Sequence, residues 1–218
     1  MKSQMDMEGF ELVSLLCSRL CHDLVSPVGA IINGLEVMAD ESDQEMREMA
    51  IRLITQSASR TAHRLQFARL AYGASGGPGG LIDMGEAKKA TAAILDDHKV
   101  ALEWQCDAGQ LERMPAKLLV NTAFLAAEAL PRGGTVTAIL TRNSGASSIE
   151  IVAQAPMIRP IESFEEIIGG EKGLAGLAPR AAQAYYTGLI ARLAGTKIGV
   201  NLTADQLSLK SIIADHAG

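Results

Sequence analysis

Aromatic residues are scarce: Phe, Trp and Tyr make up 4% of the 218 residues. That excludes an aromatic platform on which nucleic-acid bases could stack. Lys and Arg are scattered without a run, and the formal net charge is -5. Phosphate backbones attract dense basic patches, so no nucleic-acid partner is expected. Cysteine is rare as well. Cys17, Cys21 and Cys106 contain no CxxC, and their odd number does not suggest a disulfide framework. Reduced, mostly buried thiols in a cytoplasmic chain are expected instead. The opening MKSQMDMEGFELVSLL lacks the long apolar segment and cleavage site of a secretory signal. No eighteen consecutive residues are apolar, so no membrane span is expected. Familiar catalytic signatures are also missing. There is no HExxH or GxSxG, and the glycine-rich GGPGG is not followed by GK[ST]. His22, His63, His98 and His216 show no metal-binding spacing.

What remains is an ordinary globular composition, 48% hydrophobic and 21% charged, long enough for one large domain or two small ones. The strongest pattern lies in residues 10–38. Phe10, Val13, Cys17, Leu20, Leu24, Val28, Ile31, Leu35 and Met38 recur at spacings of three and four. That spacing predicts one helix of roughly 40 Å with a continuous apolar stripe. Pro27 should bend it, because proline removes an N–H and crowds the preceding turn. Ser42 or Asp43 then caps a second helix. Its stripe runs through Met46, Met49, Leu53, Ser57, Leu65, Ala68 and Ala71, and its polar face carries Arg52, Arg60, Arg64 and Arg69. Two long helices with so short a connection form an antiparallel hairpin. One hairpin covers its own stripes poorly, so pairing of two hairpins into a four-helix bundle, a homodimer, is expected.

GASGGPGG, residues 73–80, ends the hairpin. The division is therefore a helical unit over 1–75 and a second unit over 81–218. The second reads as helix (Met84 to Asp97), strand (Val100 to Trp104), helix (from Pro115 to Leu130) and a strand hairpin (Thr135 to Leu140, then 149–153). A short helix at Phe164 to Ile168, a long one at Pro179 to Leu193 and strands at Lys197 to Leu202 and Gln206 to Ile212 follow. The fold class is α+β, with a helical hairpin followed by an α/β sandwich whose mixed sheet carries helices on one face.

His22 lies between Leu20 and Leu24, so it points away from the apolar side of its helix. An exposed histidine is often no more than surface. Its near-neutral pKa also leaves a free ring nitrogen under cellular conditions, which suits a nucleophile. Asp23 is placed to hold the ring in one tautomer. The Pro27 bend opens the polar face. His63 reads as a packing residue, and Arg60 and Arg64 read as a solvated face before a phosphate clamp. In an antiparallel hairpin Arg64 should nevertheless lie nearer His22 than Arg52 does.

The run His22-Asp23-Leu24-Val25-Ser26-Pro27 resembles the H-box of sensor histidine kinases. LLVNTAFLAAEALPRGGTVTAIL resembles the helix and strand of their N-box, and YYTGLIARLAGTKIGV resembles the helix and strand after their last glycine box. Over nearly its whole length the chain resembles the ChpT-type histidine phosphotransferases of alphaproteobacteria. That resemblance implies phosphoryl transfer through His22 with Asp23 assisting, Pro27 shaping the helix, and Arg19, Ser26 and Arg64 within reach of the phosphoryl group or its donor. It implies as partners the receiver domain of a hybrid histidine kinase of the CckA kind and response regulators of the CtrA and CpdR kind, in cell-cycle signalling. Mg²⁺ is expected on the partner receiver, and no cofactor or metal on this chain.

The departures from the kinase pattern point the same way. Aligned on Asn121, the place of the metal-coordinating asparagine falls to Leu125, which offers no oxygen to Mg²⁺. Where an adenine-binding DxGxG loop would follow the strand at 149–153 stands AQAPMIRP, and Pro179, Arg180 and Ala181 replace the glycines before the last helix. A degenerate ATPase-like domain without ATP binding is expected, and no autokinase activity. The alternatives are an ATP-dependent sensor histidine kinase and a non-catalytic dimeric adaptor.

Overall fold

The computed structural model describes residues 2–40, 43–73, 80–143 and 145–214. His216, Ser42 and most of the glycine-rich connection lie outside them.

The hairpin is formed by α1 (Lys2–Asp40) and α2 (Gln44–Ala71). Asp43 caps α2, its carboxylate accepting the backbone N–H groups of Glu45 (2.8 Å) and Met46 (3.1 Å). Pro27 lies inside α1 and is buried. The helices pack closely enough at Gly34 that an added Cβ would stand 2.6 Å from Ile54.

The second unit begins with β1 (Leu81–Asp83), then α3 (Met84–Asp97), β2 (Val100–Gln105), β3 (Gln110–Glu112) and α4 (Arg113–Glu128). It continues through β4 (Gly134–Asn143), β5 (Ala146–Gln154), α5 (Phe164–Gly169), α6 (Ala182–Leu193), β6 (Gly199–Leu202) and β7 (Gln206–Ala214). Five strands form a mixed sheet in the order β2-β4-β5-β7-β6; β2 and β4 are parallel and the other pairs antiparallel. Alternation of side chains explains the layering. Val136, Ala138, Ile149, Ile151, Leu207 and Leu209 turn inward and are buried. α4 packs on β4, β5 and β7, α3 on β2, and α6 on α4. The opposite face is polar and carries the exposed pairs Thr137–Glu103 (3.0 Å) and Lys210–Glu150 (3.4 Å). α4 is buried over nearly its whole length, which its run of apolar residues requires.

Some expectations change. The short antiparallel pair β1–β3 was not predicted, because three residues are too few for alternation to show. Pro115 is the third residue of its helix, not the first. The predicted helix from Pro179 begins as a one-turn 3₁₀ segment, Pro179–Ala181, before α6. Cys17 and Cys21 are exposed and Cys106 is half-buried, against the expected buried thiols. The first two lie on faces of α1 that α2 does not cover. As expected of one hairpin alone, the predicted stripes are largely bare on the single chain: Phe10 is 76% exposed, Val13 59% and Leu35 55%, with Met46, Met49, Leu53 and Leu65 also open. By length and composition, α1 from Met7 to Asp40 is also apolar enough to cross a membrane.

The hairpin and the α/β unit share a core. Phe67, Leu70 and Ala71 of α2 belong to the same apolar cluster as α4 and the sheet, and the Phe67 and Phe124 rings stand 4.8 Å apart. Burying such a ring is worth on the order of 2 kcal/mol. Around it runs a polar seam. The Asn121 amide donates to the carbonyls of Lys117 (2.7 Å) and Ala71 (3.4 Å) and accepts from Gln183 (2.5 Å). The Tyr72 hydroxyl donates to Gln183, the Tyr186 hydroxyl to the Ala71 carbonyl (3.1 Å), and Lys117 to the Gly73 carbonyl (2.6 Å). The bonds to Ala71, Tyr72 and Gly73 tie the end of α2 to α4 and α6, and the Gln183–Asn121 bond ties α6 to α4.

Gln183 is fully buried, so its replacement by Leu strands the Asn121 oxygen and the Tyr72 hydroxyl. Each stranded group costs about 1–3 kcal/mol. Gln183→Leu should lower the urea midpoint by that order without changing the slope of the transition; an unchanged midpoint would show that the seam contributes nothing.

Candidate functional site

α1 presents His22 to solvent, its side chain 89% exposed. Leu20 and Leu24, on either side in sequence, are half-buried. The ring Nδ1 stands 3.5 Å from Asp23 Oδ1. An ionised carboxylate only accepts, so this pairing favours the tautomer with hydrogen on Nδ1, leaving the Nε2 lone pair free.

Pro27 acts on this site through its missing N–H. In a regular helix the N–H of residue 27 would bond to the carbonyl of residue 23. Proline frees that oxygen, and the Arg64 guanidinium from α2 donates to it. Arg64 Nη1 is also 4.0 Å from Asp23 Oδ1. The structure thus brings His22, Asp23, Pro27 and Arg64 together, as the antiparallel hairpin requires. Ser26 is exposed one turn beyond His22 on the same helix face.

Arg19 is placed differently from the expectation that it touches the phosphoryl group. It is 7% exposed. Its Nη2 donates to Glu128 Oε1 at 2.5 Å, its Nη1 to the Arg180 carbonyl at 2.9 Å, and its Nε is 3.9 Å from Asp23 Oδ2. The guanidinium also lies over the Phe124 ring, 5.5 Å from the centroid. Burial disfavours its charge, but Glu128, with smaller contributions from Tyr72 and Asp23, outweighs this and raises its pKa. An arginine committed in this way is not free to bind a ligand oxygen. Glu128 and Arg180 were not candidates in the sequence. Only their separation in the chain hides them, because nothing in the local pattern marks either.

Beside His22 is a depression of about 480 Å³ between α1 and the α/β unit. Ser18, Asp23, His98, Glu128 and Pro179 line it, with Arg180 at its rim. His63 of α2 is half-buried, its Nδ1 3.5 Å from Asp97 at the end of α3, which fits the expected packing role. Among the described residues no three His, Cys, Asp or Glu side chains gather as metal ligands.

A sequence model of the family described as the histidine phosphotransferase C-terminal domain matches residues 84–206. The Protein phosphotransferase ChpT of Brucella abortus (strain 2308) is 35% identical over 201 residues, covering 92% of this chain and 95% of that protein. The chain belongs to the histidine phosphotransferases of the ChpT type. The solved structure of a bacterial phosphotransferase is 34% identical and superimposes with a TM-score of 0.82, covering 93% of this chain and 96% of that one. A histidine phosphotransferase needs an accessible imidazole, and the matched family region supplies the wall beside it: His98, Glu128 and Pro179 all fall within residues 84–206.

His98 offers a pH test of that wall. Its ring meets Phe124 edge-on, with centroids 5.6 Å apart. Burial lowers its pKa; Arg64 and Arg19 act in the same direction, and Glu128 and Asp97 oppose them. The unfolded chain therefore protonates His98 more readily than the folded one, and stability is lost as pH falls below about 6.5. His98→Asn cannot titrate there. The Tm of wild type relative to His98→Asn should fall between pH 7.5 and pH 5.5, and a difference constant across that range would contradict a lowered pKa at the half-buried His98.

Proposed function

We propose that the chain is a relay in a multistep phosphorelay, with His22 taking phosphoryl from the aspartate of one receiver domain and giving it to another. The observation that carries this reading is the exposed imidazole whose Nδ1 faces Asp23, in a chain of the histidine phosphotransferase family.

The neutral ring attacks phosphorus of the receiver's aspartyl phosphate through the Nε2 lone pair. A P–N bond forms, the P–O bond to the aspartate breaks, and its electron pair returns to that carboxylate. The ring keeps its proton on Nδ1 and gains positive charge, which Asp23 stabilises. In the second half, a carboxylate oxygen of the next receiver attacks phosphorus and the P–N electron pair returns to Nε2. No proton need leave the site. The Mg²⁺ bound by the receiver would neutralise the phosphoryl oxygens, so this chain contributes the nucleophile and its orientation. Upstream donor and downstream acceptors are the receiver of a hybrid kinase and response regulators, as the family resemblance implies.

The α/β unit is proposed not to use ATP. Leu125, at the place of a kinase's metal-coordinating asparagine, is buried and apolar, and Asn121 spends its side chain on Gln183 and two backbone carbonyls. The bare apolar surface of the hairpin is proposed to close against a second copy as a four-helix bundle. A bilayer would suit it poorly, because Arg19, His22 and Asp23 sit at the middle of α1. A cytoplasmic setting is part of the same proposal.

Incubation with a labelled, phosphorylated receiver should put label on the wild-type chain and none on His22→Ala. Label that never reaches wild type, or reaches His22→Ala equally, defeats the relay. Titration with Mg-ATP should show no saturable binding in the micromolar range; such binding would favour a true kinase.

A further inference from the structure

Glu128 stands at the last residue of α4, where a helix presents its partial negative charge. An acid there is electrostatically misplaced unless a cation compensates. The compensating cation is Arg19, brought from the hairpin across 109 positions of sequence to 2.5 Å. Both side chains are largely out of solvent, 8% and 14% exposed. A buried pair of this kind adds little to stability on balance, but it fixes its members in place. Arg19 is held further by the Arg180 carbonyl and the Phe124 ring. Its remaining edge, Nε, faces Asp23 Oδ2 at 3.9 Å, while Asp23 Oδ1 faces His22 Nδ1 at 3.5 Å. One line of alternating charge thus runs from the α/β unit to the exposed imidazole.

We propose that Glu128 and Arg19 are positioning residues for the phosphotransfer: Glu128 fixes Arg19, Arg19 fixes the Asp23 carboxylate, and Asp23 fixes the Nδ1–H tautomer of His22. The proposal builds on the relay reading above and gives the α/β unit a part in it that needs no nucleotide. A free histidine side chain prefers hydrogen on Nε2. In that form the outward nitrogen has no lone pair and cannot attack phosphorus. The Asp23 carboxylate reverses that preference only while it is aimed at Nδ1. Two cations flank it, Arg19 Nε at 3.9 Å from Oδ2 and Arg64 Nη1 at 4.0 Å from Oδ1, and Arg19 is the one that Glu128 holds from the α/β unit.

Glu128→Gln keeps the size of the side chain and an oxygen that can accept from Arg19, so the fold should persist; Glu128→Asp keeps the charge. The first readout is ¹⁵N NMR of the full-length protein labelled at histidine, with the His22 signals identified by their loss in His22→Ala. Wild type should show mainly Nδ1–H at His22, Glu128→Gln a shift toward Nε2–H, and Glu128→Asp a smaller one. The second readout is single-turnover transfer from a phosphorylated receiver. Glu128→Gln should slow the rate at saturating receiver about tenfold, the scale on which partners behind a functional imidazole act, with little change in the receiver concentration at half-saturation. In an Asp23→Asn background the same substitution should have no further effect. An unchanged tautomer in Glu128→Gln overturns the proposal. So does a loss confined to half-saturation, or an equal loss in the Asp23→Asn background; either would mark Glu128 as a docking or structural residue. The tautomer readout involves no transfer, so it judges the positioning chain even if wild type accepts no label, an outcome that counts against the relay alone.

Discussion

A guanidinium taken out of water demands an acid at close range, and much of this molecule follows from where Arg19 finds one. Glu128 lies at the end of the most buried helix, so answering that demand draws the hairpin onto the α/β unit in one orientation. The polar seam repeats the logic a few turns away. Asn121, Gln183, Tyr72 and Lys117 take up one another and the last carbonyls of α2. Hydrogen bonds of this kind are worth little each when made and more when broken. Their combined effect is geometric: the two units meet along a surface that rewards one register. A mobile catalytic domain would need such a surface to part easily, and this one has polar groups that water would have to re-cover.

The site was legible where it depends on local pattern. Helical periodicity put His22 on an open face, and the short connection put Arg64 beside it. The bond from Arg64 to the Asp23 carbonyl could also have been anticipated, since a proline inside a helix always leaves the carbonyl four residues earlier without its partner. Glu128 and Arg180 could not. Their roles exist only because chain segments more than a hundred residues apart meet. Arg19 was misread for the same reason: on its own helix it is one turn before His22, and only the approach of α4 turns it inward.

The sheet was well anticipated because β4, β5 and β7 alternate cleanly and β2 alternates through Val100, Leu102 and Trp104. β1 and β3 escaped because they are too short to alternate. The stripes of α1 and α2 were read as poorly covered by one hairpin, and on the single chain most of them are bare. Periodicity reports that a face is apolar; it does not report which molecule covers it. Phe67, absent from the predicted stripe of α2, joins Leu70 and Ala71 in the common core. Cys17 and Cys21 illustrate the converse, a usually buried residue type left outside because the neighbouring helix passes on another side.

The bare hydrocarbon along α1 has a further consequence, for abundance. Phe10, Val13 and Leu35 are open enough that any matching surface will be taken up by mass action. Under the pairing with a second copy proposed above, they are covered at high copy number. As copies thin out the same side chains would return to water, so the proposed pair would part first where the protein is scarce.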